Sequence, residues 1–167
     1  MMRAWLAALA VAGFASVSVA AIAPITPDGW GDLRIGMPAK EAIHKFGLKE
    51  PNRIPGEDSC RQCDVPAEPQ LDVMVIDGRV ARLSLYSRGP LKTDRGFTVG
   101  DRERDIRKAY GPRLRVEPHA YEEAPAHYLI FWTTPGKRGV RYETDMHGRV
   151  TSIHVGGPEI QYIEGCL

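Results

Sequence analysis

The sequence has little of what marks a nucleic-acid-binding protein or a metal site. Its 167 residues include three cysteines, 8% aromatic residues and a formal net charge of +1. A nucleic-acid partner calls for a clear basic excess, and this near-neutral balance does not provide one. No His-x-x-His and no second CxxC accompany the single CxxC, so a zinc site of that kind lacks two ligands. We therefore expect neither nucleic acid nor a structural metal.

Recognisable catalytic motifs are also missing. No serine stands in a Gly-x-Ser-x-Gly turn, and Ser84, Ser87 and Ser152 lie within or beside predicted strands. The glycines are single residues at turns rather than a loop that leads from a strand to a helix around a phosphate. We therefore expect no catalytic residue, no cofactor and no enzymatic activity.

A long apolar run occurs at one place, the N-terminus. Residues 1–20 hold one early arginine, an apolar stretch and a small-residue end that fits a cleavage site. This arrangement is typical of a secretory signal peptide, and the apolar part is too short to span a bilayer comfortably. We therefore predict a periplasmic or secreted protein with no membrane span after signal removal.

Three cysteines follow the predicted signal peptide: Cys60, Cys63 and Cys166. In an exported protein an oxidised pair is the usual state. Cys60 and Cys63 have the spacing of a redox motif. A working redox pair usually opens a helix, whose N-terminus lowers the thiol pKa, but here Pro66 and Pro69 break the segment and the acidic neighbours raise the thiol pKa instead. Cys166 is better explained as a tether for the C-terminal tail, and its partner is Cys60 or Cys63.

The clearest positive feature is an internal repeat. Residues 33–47 and 97–111 share an apolar-x-apolar-Gly opening and an aromatic-Gly ending, with the same interval between the two glycines. Farther along, GRVARLSL at 78–85 matches GRVTSIHV at 148–155. The offset grows from 64 to 70 residues, which places an insertion in the second copy. The pattern predicts two copies of a helix followed by strands.

Each copy has the signals of one helix and an antiparallel sheet. Pro38 suits a first helical turn, and the Gly after each apolar stripe suits a helix end. A hairpin is predicted around Asp77-Gly78 and a three-stranded meander in the second copy, while 49–70 is expected to be a loop. The predicted fold is α+β with tandem repeats at 21–92 and 93–167, each a short helix on an antiparallel meander, packed as one unit.

These residues resemble known families. The Gly-Met-Pro or Gly-Asp opening, the short helix and the Gly-Arg-Val strands resemble the repeat of beta-lactamase inhibitor protein and of small outer-membrane assembly lipoproteins. The ending Tyr162-Ile-Glu-Gly-Cys166 further resembles a group of exported proteins of Gram-negative bacteria. The resemblance implies a non-catalytic protein that binds another protein. It also implies a disulfide between Cys60 and Cys166, because the similar proteins keep a Ser-Cys in this loop, which leaves Cys63 as an additional thiol.

The aromatic residues are the candidates for a binding surface, because aromatic side chains and arginine are favoured where proteins meet. For Tyr128 and Trp132 we expect a core position. The expected surface residues are Trp30, Tyr86, Tyr121 and Tyr142.

Histidines are the weaker candidates for chemistry. His119 and His127 flank a loop with three glutamates, and imidazole and carboxylate are competent metal ligands. Strands on either side of a loop bring only some of these groups together, so we expect surface histidines and no resident metal. His154, on a predicted strand, is expected to be either a surface residue or one with its polar atoms capped by hydrogen bonds.

The functional prediction is therefore an exported module that binds another protein and has no catalytic activity. Two alternatives stay open: a CxxC thiol-disulfide oxidoreductase and a structural envelope protein.

Overall fold

A computed structural model describes residues 22–50 and 59–166 of the chain. The predicted signal peptide lies outside these residues. The architecture is α+β: a large antiparallel sheet carries two helices on one face. In the part of the chain described here, no helix is long and apolar enough to cross a membrane.

The elements alternate between short helices and strands along the chain. In order they are β1 (Ile25–Thr26), β2 (Gly29–Trp30), β3 (Leu33–Arg34), α1 (Ala39–Phe46), β4 (Cys60–Asp64), β5 (Leu71–Ile76), β6 (Arg79–Leu85), α2 (Glu103–Tyr110), β7 (Arg115–Pro118), β8 (His127–Thr134), β9 (Arg138–Thr144) and β10 (Val150–Gly156).

Seven strands form one antiparallel sheet in the order β4-β5-β6-β10-β9-β8-β7. The central pair, β6 and β10, joins the first half of the chain to the second, with Ile153 opposite Leu85 and Val155 opposite Leu83. Strands β1, β2 and β3 make a small separate sheet. Because the two halves share a continuous sheet, neither has an open edge where they meet.

The helices end where the sequence signals them. At the end of α1, Gly47 takes a left-handed conformation with φ of 64°, and its N–H donates to Ile43 O. That conformation is costly for residues other than glycine, which explains the stop. The buried sides of the helices, Ala39 and Ala42 on α1 and Ile106 and Tyr110 on α2, cover one sheet face.

Alternate residues of the central strands build the core under the helices. Leu83, Leu85, Ile153 and Val155 are buried there. Tyr142 lies in the same core, fully buried, with its hydroxyl 2.8 Å from the hydroxyl of Tyr110. The expectation that Tyr142 belongs to a binding surface is therefore wrong, because the pleat of β9 turns this side chain toward α2.

The opposite face of the sheet is covered by the end of the chain. Residues 158–166, here called the strap, begin with a single 3-10 turn and cross this face. Ile160 is buried against Tyr128 and Ile130 of β8. Strand β8 is thus covered on both sides, which accounts for its continuously apolar sequence.

The region predicted as a loop at 49–70 contains a strand. Residues Cys60–Asp64 form β4 and pair antiparallel with β5 along the edge of the sheet. An edge strand has one partner and a weak alternating pattern, and here one core-facing residue is the small Cys63, so the sequence signal is faint. The predicted second meander likewise gains β7, a short edge strand beside β8.

Candidate functional site

Two buried arginines hold the strap on the sheet. Arg82 of β6 donates to the main-chain oxygens of Glu159 at 3.2 Å and Tyr162 at 2.9 Å. Arg141 of β9 donates to Ile160 O at 2.8 Å, and its guanidinium lies 4.1 Å from the centre of the Tyr128 ring. Charged donors make stronger hydrogen bonds than neutral ones, so the strap is held firmly over this face.

A disulfide fixes the far end of the strap. Cys60 on β4 is bonded to Cys166, with a Cα–Cα distance of 5.4 Å. This is the pairing that the family resemblance implied. Cys63 remains a free thiol, buried in the core, and burial raises its pKa to about 11. A buried, protonated thiol is a poor nucleophile, so Cys63 is not placed for exchange.

The CxxC does not have the geometry of a redox pair. Both cysteines lie on a strand, and Cys60 reaches the strap while Cys63 points into the core. Residues three apart on a strand face opposite sides, which keeps the two sulfurs apart. The arrangement gives no support to the oxidoreductase alternative.

Beneath the strap, a row of polar side chains crosses the sheet. Ser84 Oγ lies 2.8 Å from His154 Nδ1, and His154 Nε2 lies 3.1 Å from Glu143 Oε1 and 3.1 Å from Ser152 Oγ. Glu143 also forms an ion pair with Arg141. The carboxylate favours a proton on Nε2, which leaves Nδ1 to accept the Ser84 hydroxyl proton. His154 is buried with both ring nitrogens hydrogen-bonded, so of the two positions expected for it the surface position is wrong.

The charges of this row are set by its surroundings. Burial lowers the pKa of His154 to about 4, although its hydrogen bond to Glu143 opposes the shift. Burial disfavours the charged form of Glu143, yet the His154 hydrogen bond and the Arg141 charge outweigh it and lower its pKa to about 2. At neutral pH the row therefore contains a neutral imidazole beside an ionised carboxylate.

The polar row has the serine, histidine and carboxylate order of a hydrolase catalytic triad, but a substrate cannot reach it. Ser84 is 1% exposed and His154 is 3% exposed, and the strap lies over this face of the sheet. A nucleophile must reach its substrate at bonding distance. As it stands, this arrangement is suited to positioning the strap rather than to attacking a bound molecule.

The buried histidine makes the stability depend on pH. The unfolded chain takes up a proton at His154 as pH falls below 6.5, but the folded chain does so only near pH 4. Because the unfolded state then binds more protons, the free energy of unfolding falls as pH falls through this window. We expect a loss of about 3 kcal/mol, at about 1.4 kcal/mol per pKa unit. Urea unfolding at a series of pH values measures it.

The variant His154→Gln should flatten this pH profile, since the substituted side chain does not titrate. His44→Gln, at an exposed position on α1, is the matched control and should retain the wild-type slope. A profile that is unchanged in His154→Gln would show that another group is responsible.

Four large exposed side chains lie on the strap or beside it. Tyr86, Tyr121, Tyr162 and Ile163 are 49%, 66%, 47% and 47% exposed. Tyr86 packs edge-on against His154, the Tyr121 hydroxyl bonds to Glu164 of the strap, and Arg82 holds the main chain of Tyr162. These four residues are called the tyrosine surface below. Two of them, Tyr86 and Tyr121, were predicted as surface residues.

Trp30 does not join this surface. It is half-buried on β2, packs against the core on the helix side, and donates from Nε1 to Ala23 O at 3.0 Å.

The two weak metal candidates lie on different sides of the sheet. His119 Nε2 is 3.8 Å from Glu143 Oε2 on the strap side, whereas His127 Nδ1 is 3.0 Å from Glu103 on α2. Among the residues that the structure describes, no group of three or more His, Cys, Asp or Glu side chains is placed to hold a metal ion. The loop between the histidines separates them rather than joining them.

Sequence reasoning missed the polar row because its members come from three different strands, β6, β9 and β10. The available signal was alternation: each strand that builds the core also carries polar residues one position away. Arg82 and Ser84 alternate with leucines on β6, and Ser152 and His154 alternate with Ile153 and Val155 on β10. Polar residues at those positions are typical of a solvent-facing surface, and only the strap makes them buried.

No family model matches the chain, and no curated protein matches it. Solved structures with a similar fold include a DUF4309 family protein (YjgB) from Bacillus subtilis and an extracellular protein containing an SCP domain from Bacillus anthracis. Both align with a TM-score of 0.50 and 12% identity. The first alignment covers 75% of this chain and 82% of that protein, and the second covers 89% and 50%. At this identity the likeness shows the fold alone.

Proposed function

We propose that this chain is an exported module that binds another protein and has no catalytic activity. The observation that carries the proposal is the tyrosine surface, where Tyr162 and Ile163 of the fixed strap are exposed, with Tyr86 and Tyr121 exposed beside it. Tyrosine offers a large contact area with little rotamer entropy to lose, and it is enriched where proteins bind one another.

The rigidity of the strap strengthens the proposal. A free chain end carrying Tyr162 and Ile163 would lose conformational entropy on binding, which weakens affinity. The disulfide at Cys166 and the bonds from Arg82 and Arg141 remove most of that loss before a partner arrives. The tyrosine surface is thus organised in advance for contact with a folded protein.

Export is supported by three observations. Residues 1–20 have the pattern of a signal peptide, a disulfide joins Cys60 to Cys166, and one structural neighbour is an extracellular protein. Disulfides persist in oxidising compartments such as the periplasm and the cell exterior. A periplasmic or secreted location follows from the same proposal.

We propose no catalytic activity because a substrate cannot reach the polar row and because Cys60 is not a free thiol. The serine, histidine and glutamate of the polar row are closed off by the strap, and Cys60 is held in a structural disulfide. A role as a structural envelope protein needs only the stable fold, and it would leave the exposed tyrosines without a purpose.

We further infer that the two halves are tandem copies of one unit. In the first half, Gly36 N donates to Val80 O at 2.7 Å and Ala39 N to Gly78 O at 2.8 Å. In the second half, Gly100 N donates to Val150 O at 2.8 Å and Glu103 N to Gly148 O at 2.9 Å. The donors are related by the 64-residue offset and the acceptors by the 70-residue offset of the sequence repeat, which supports a duplication.

The duplication also accounts for the middle of the sheet. The 70-residue offset makes Ser84 and His154 equivalent positions, and these two residues stand opposite each other where β6 pairs with β10. A local two-fold axis between the copies passes through this pair. The hydrogen bond from Ser84 to His154 thus links the copies at their centre of symmetry.

Site-specific photocrosslinking in the native host tests the binding proposal. A benzophenone side chain placed at Tyr121 should give a covalent adduct with one protein, because this position is the most exposed of the tyrosine surface. The same probe at Ile43, an exposed apolar residue on α1, is the matched control and should give none. Adducts are detected by blotting and identified by mass spectrometry.

A second variant makes the test specific. Tyr86→Ser with Tyr162→Ser in the probe-carrying chain should reduce the adduct about tenfold, as expected for loss of central aromatic contacts. Equal crosslinking at positions 121 and 43 would argue against the proposed surface. So would a crosslinking yield at position 121 that is unchanged by the two serine substitutions.

A further inference from the structure

A cleft of about 500 Å³ opens beside the start of α2. It lies between the helix, the turn that joins β9 to β10, and the beginning of β8. Its lining is rich in arginine, with Arg102, Arg104, Arg107 and Arg149, and includes a single carboxylate, that of Glu103.

The one carboxylate of the cleft is already occupied. Glu103 is nearly buried and binds Arg107 at 2.5 Å, His127 at 3.0 Å and the Thr144 hydroxyl at 3.0 Å. Burial opposes its ionisation, but these hydrogen bonds together lower its pKa, so it stays charged and committed to them. It can neutralise Arg107 but has no capacity left for the other arginines.

Carboxylates around the rim are engaged as well. Asp101 accepts the Thr98 N–H at 2.8 Å, and Asp145 accepts the main-chain N–H groups of His147 and Arg149 at 2.8 Å each. Asp105 lies 3.4 Å from Arg104, in a pair that is largely exposed and therefore weak.

Two like charges meet at the mouth of this cleft. Arg102 and Arg149 are directly paired through a backbone bridge, and within the described ranges, 22–50 and 59–166, neither guanidinium forms an ion pair. Like charges at opposed positions destabilise a bridge of this kind. Arg149 donates a hydrogen bond from Nη1 to Gly100 O at 3.2 Å, whereas among the residues that the structure describes the Arg102 guanidinium makes no such bond to the main chain.

The first half of the chain shows that the fold does not need this arrangement. There the equivalent bridge joins Pro38 to Arg79, and Arg79 donates to Gly36 O at 2.9 Å as Arg149 does to Gly100 O. The position of Arg102 is taken by a proline. The arginine that bonds to the main chain is therefore common to both halves, as Arg79 and Arg149. Arg102 is present only in the second half, at the cleft.

We propose that this cleft binds an acidic segment of a partner protein, with glutamate or aspartate side chains held by Arg102 and Arg104. Arginine presents a planar fork that matches a carboxylate, and the exposed Met146 and Pro125 supply apolar walls for the side-chain stems. The loop that carries Pro125 also carries Tyr121, so one loop borders both the cleft and the tyrosine surface. The inference rests on the proposed function in that it names the chemistry of the partner.

The test is a titration of the isotope-labelled mature chain with a capped hexaglutamate peptide, followed by NMR. We expect the largest shifts at the Gly148 amide and at the arginine Nε–H groups of the cleft. Arg102→Glu with Arg104→Glu should weaken binding about tenfold or more, and raising the salt concentration should weaken it further.

Lys40→Glu with Lys45→Glu on α1 is the matched control, since it makes the same charge change on the equivalent helix. It should bind as the wild type does. Equal weakening of peptide binding in the control would mean that the peptide is attracted by the overall positive charge of the protein rather than by the cleft, and would overturn the proposal. The proposal would also be overturned if the NMR shifts fell on residues outside the cleft, or if inorganic phosphate bound the same residues as tightly as the peptide does. Arg102→Gln with Arg104→Gln serves if the glutamate variant fails to fold.

Failure of this inference and failure of the proposed function are separate results. Crosslinking at Tyr121 without peptide binding in the cleft would reject the acidic segment and keep the protein-binding surface. Peptide binding in the cleft without a crosslink would keep the inference and reject the tyrosine surface.

Discussion

Replacement of Cys166 by serine should cost about 3–5 kcal/mol of unfolding free energy, because the disulfide closes a very long loop. Cys60 and Cys166 are 106 residues apart in sequence. In the chain-entropy model a bridge across about 100 residues contributes roughly 4.7 kcal/mol by restricting the unfolded chain. Release of the strap also lets water reach Arg82, Arg141 and the polar row. Urea unfolding monitored by tryptophan fluorescence measures the loss.

The control for this variant is chemical. A reducing agent should lower the stability of the wild type to that of Cys166→Ser and should leave the variant unchanged. Cys63→Ala tests the other cysteine, and it should lose only about 1 kcal/mol because it removes one small buried group. A reductant effect that persists in Cys166→Ser would show that a different bond stabilises the protein.

Replacement of Glu143 by glutamine is expected to destabilise the fold by about 3–5 kcal/mol, because it leaves buried charge without a partner. Arg141 is almost fully buried, and Glu143 is its ion-pair partner as well as the acceptor for His154. Glutamine keeps the shape of the side chain but removes the negative charge, so the loss reports electrostatics rather than a cavity. Chemical denaturation at pH 7 measures the change.

Two further variants separate the causes. Glu41→Gln removes an exposed ion pair with Lys45 on α1, and it should have no measurable effect because such pairs are screened by water. Arg141→Met added to Glu143→Gln should recover part of the lost stability, since it removes the unpaired charge. If the double variant is no better than Glu143→Gln alone, the buried arginine is not the source of the loss.

The sequence determined the local parts of this protein. Gly47 ends α1, the pair Asp77-Gly78 turns the β5–β6 hairpin, and the continuously apolar β8 is covered on both sides. These features depend on backbone conformation and on the periodicity of neighbouring residues, so a window of a few residues contains the information. The α+β class followed from the order of these elements.

The sequence did not determine which polar residues would be buried. Ser84, Glu143 and His154 alternate with core residues and have the pattern of a surface, yet the strap covers them. It also misplaced Tyr142, because alternation says that a strand has two faces but not which face lies under a helix.

Tertiary structure decided the sites. The strap, the polar row and the cleft each combine residues more than 20 positions apart, such as Arg82 with Tyr162 and Glu103 with Thr144. The residues of the strap and the polar row are brought together only when β6 pairs with β10 and the two halves close into one sheet. Those of the cleft are brought together when α2 packs beside β8 and the turn between β9 and β10. Which side chains are buried and which charges pair depends on the elements that pack over the sheet, and no local pattern in the sequence encodes that packing.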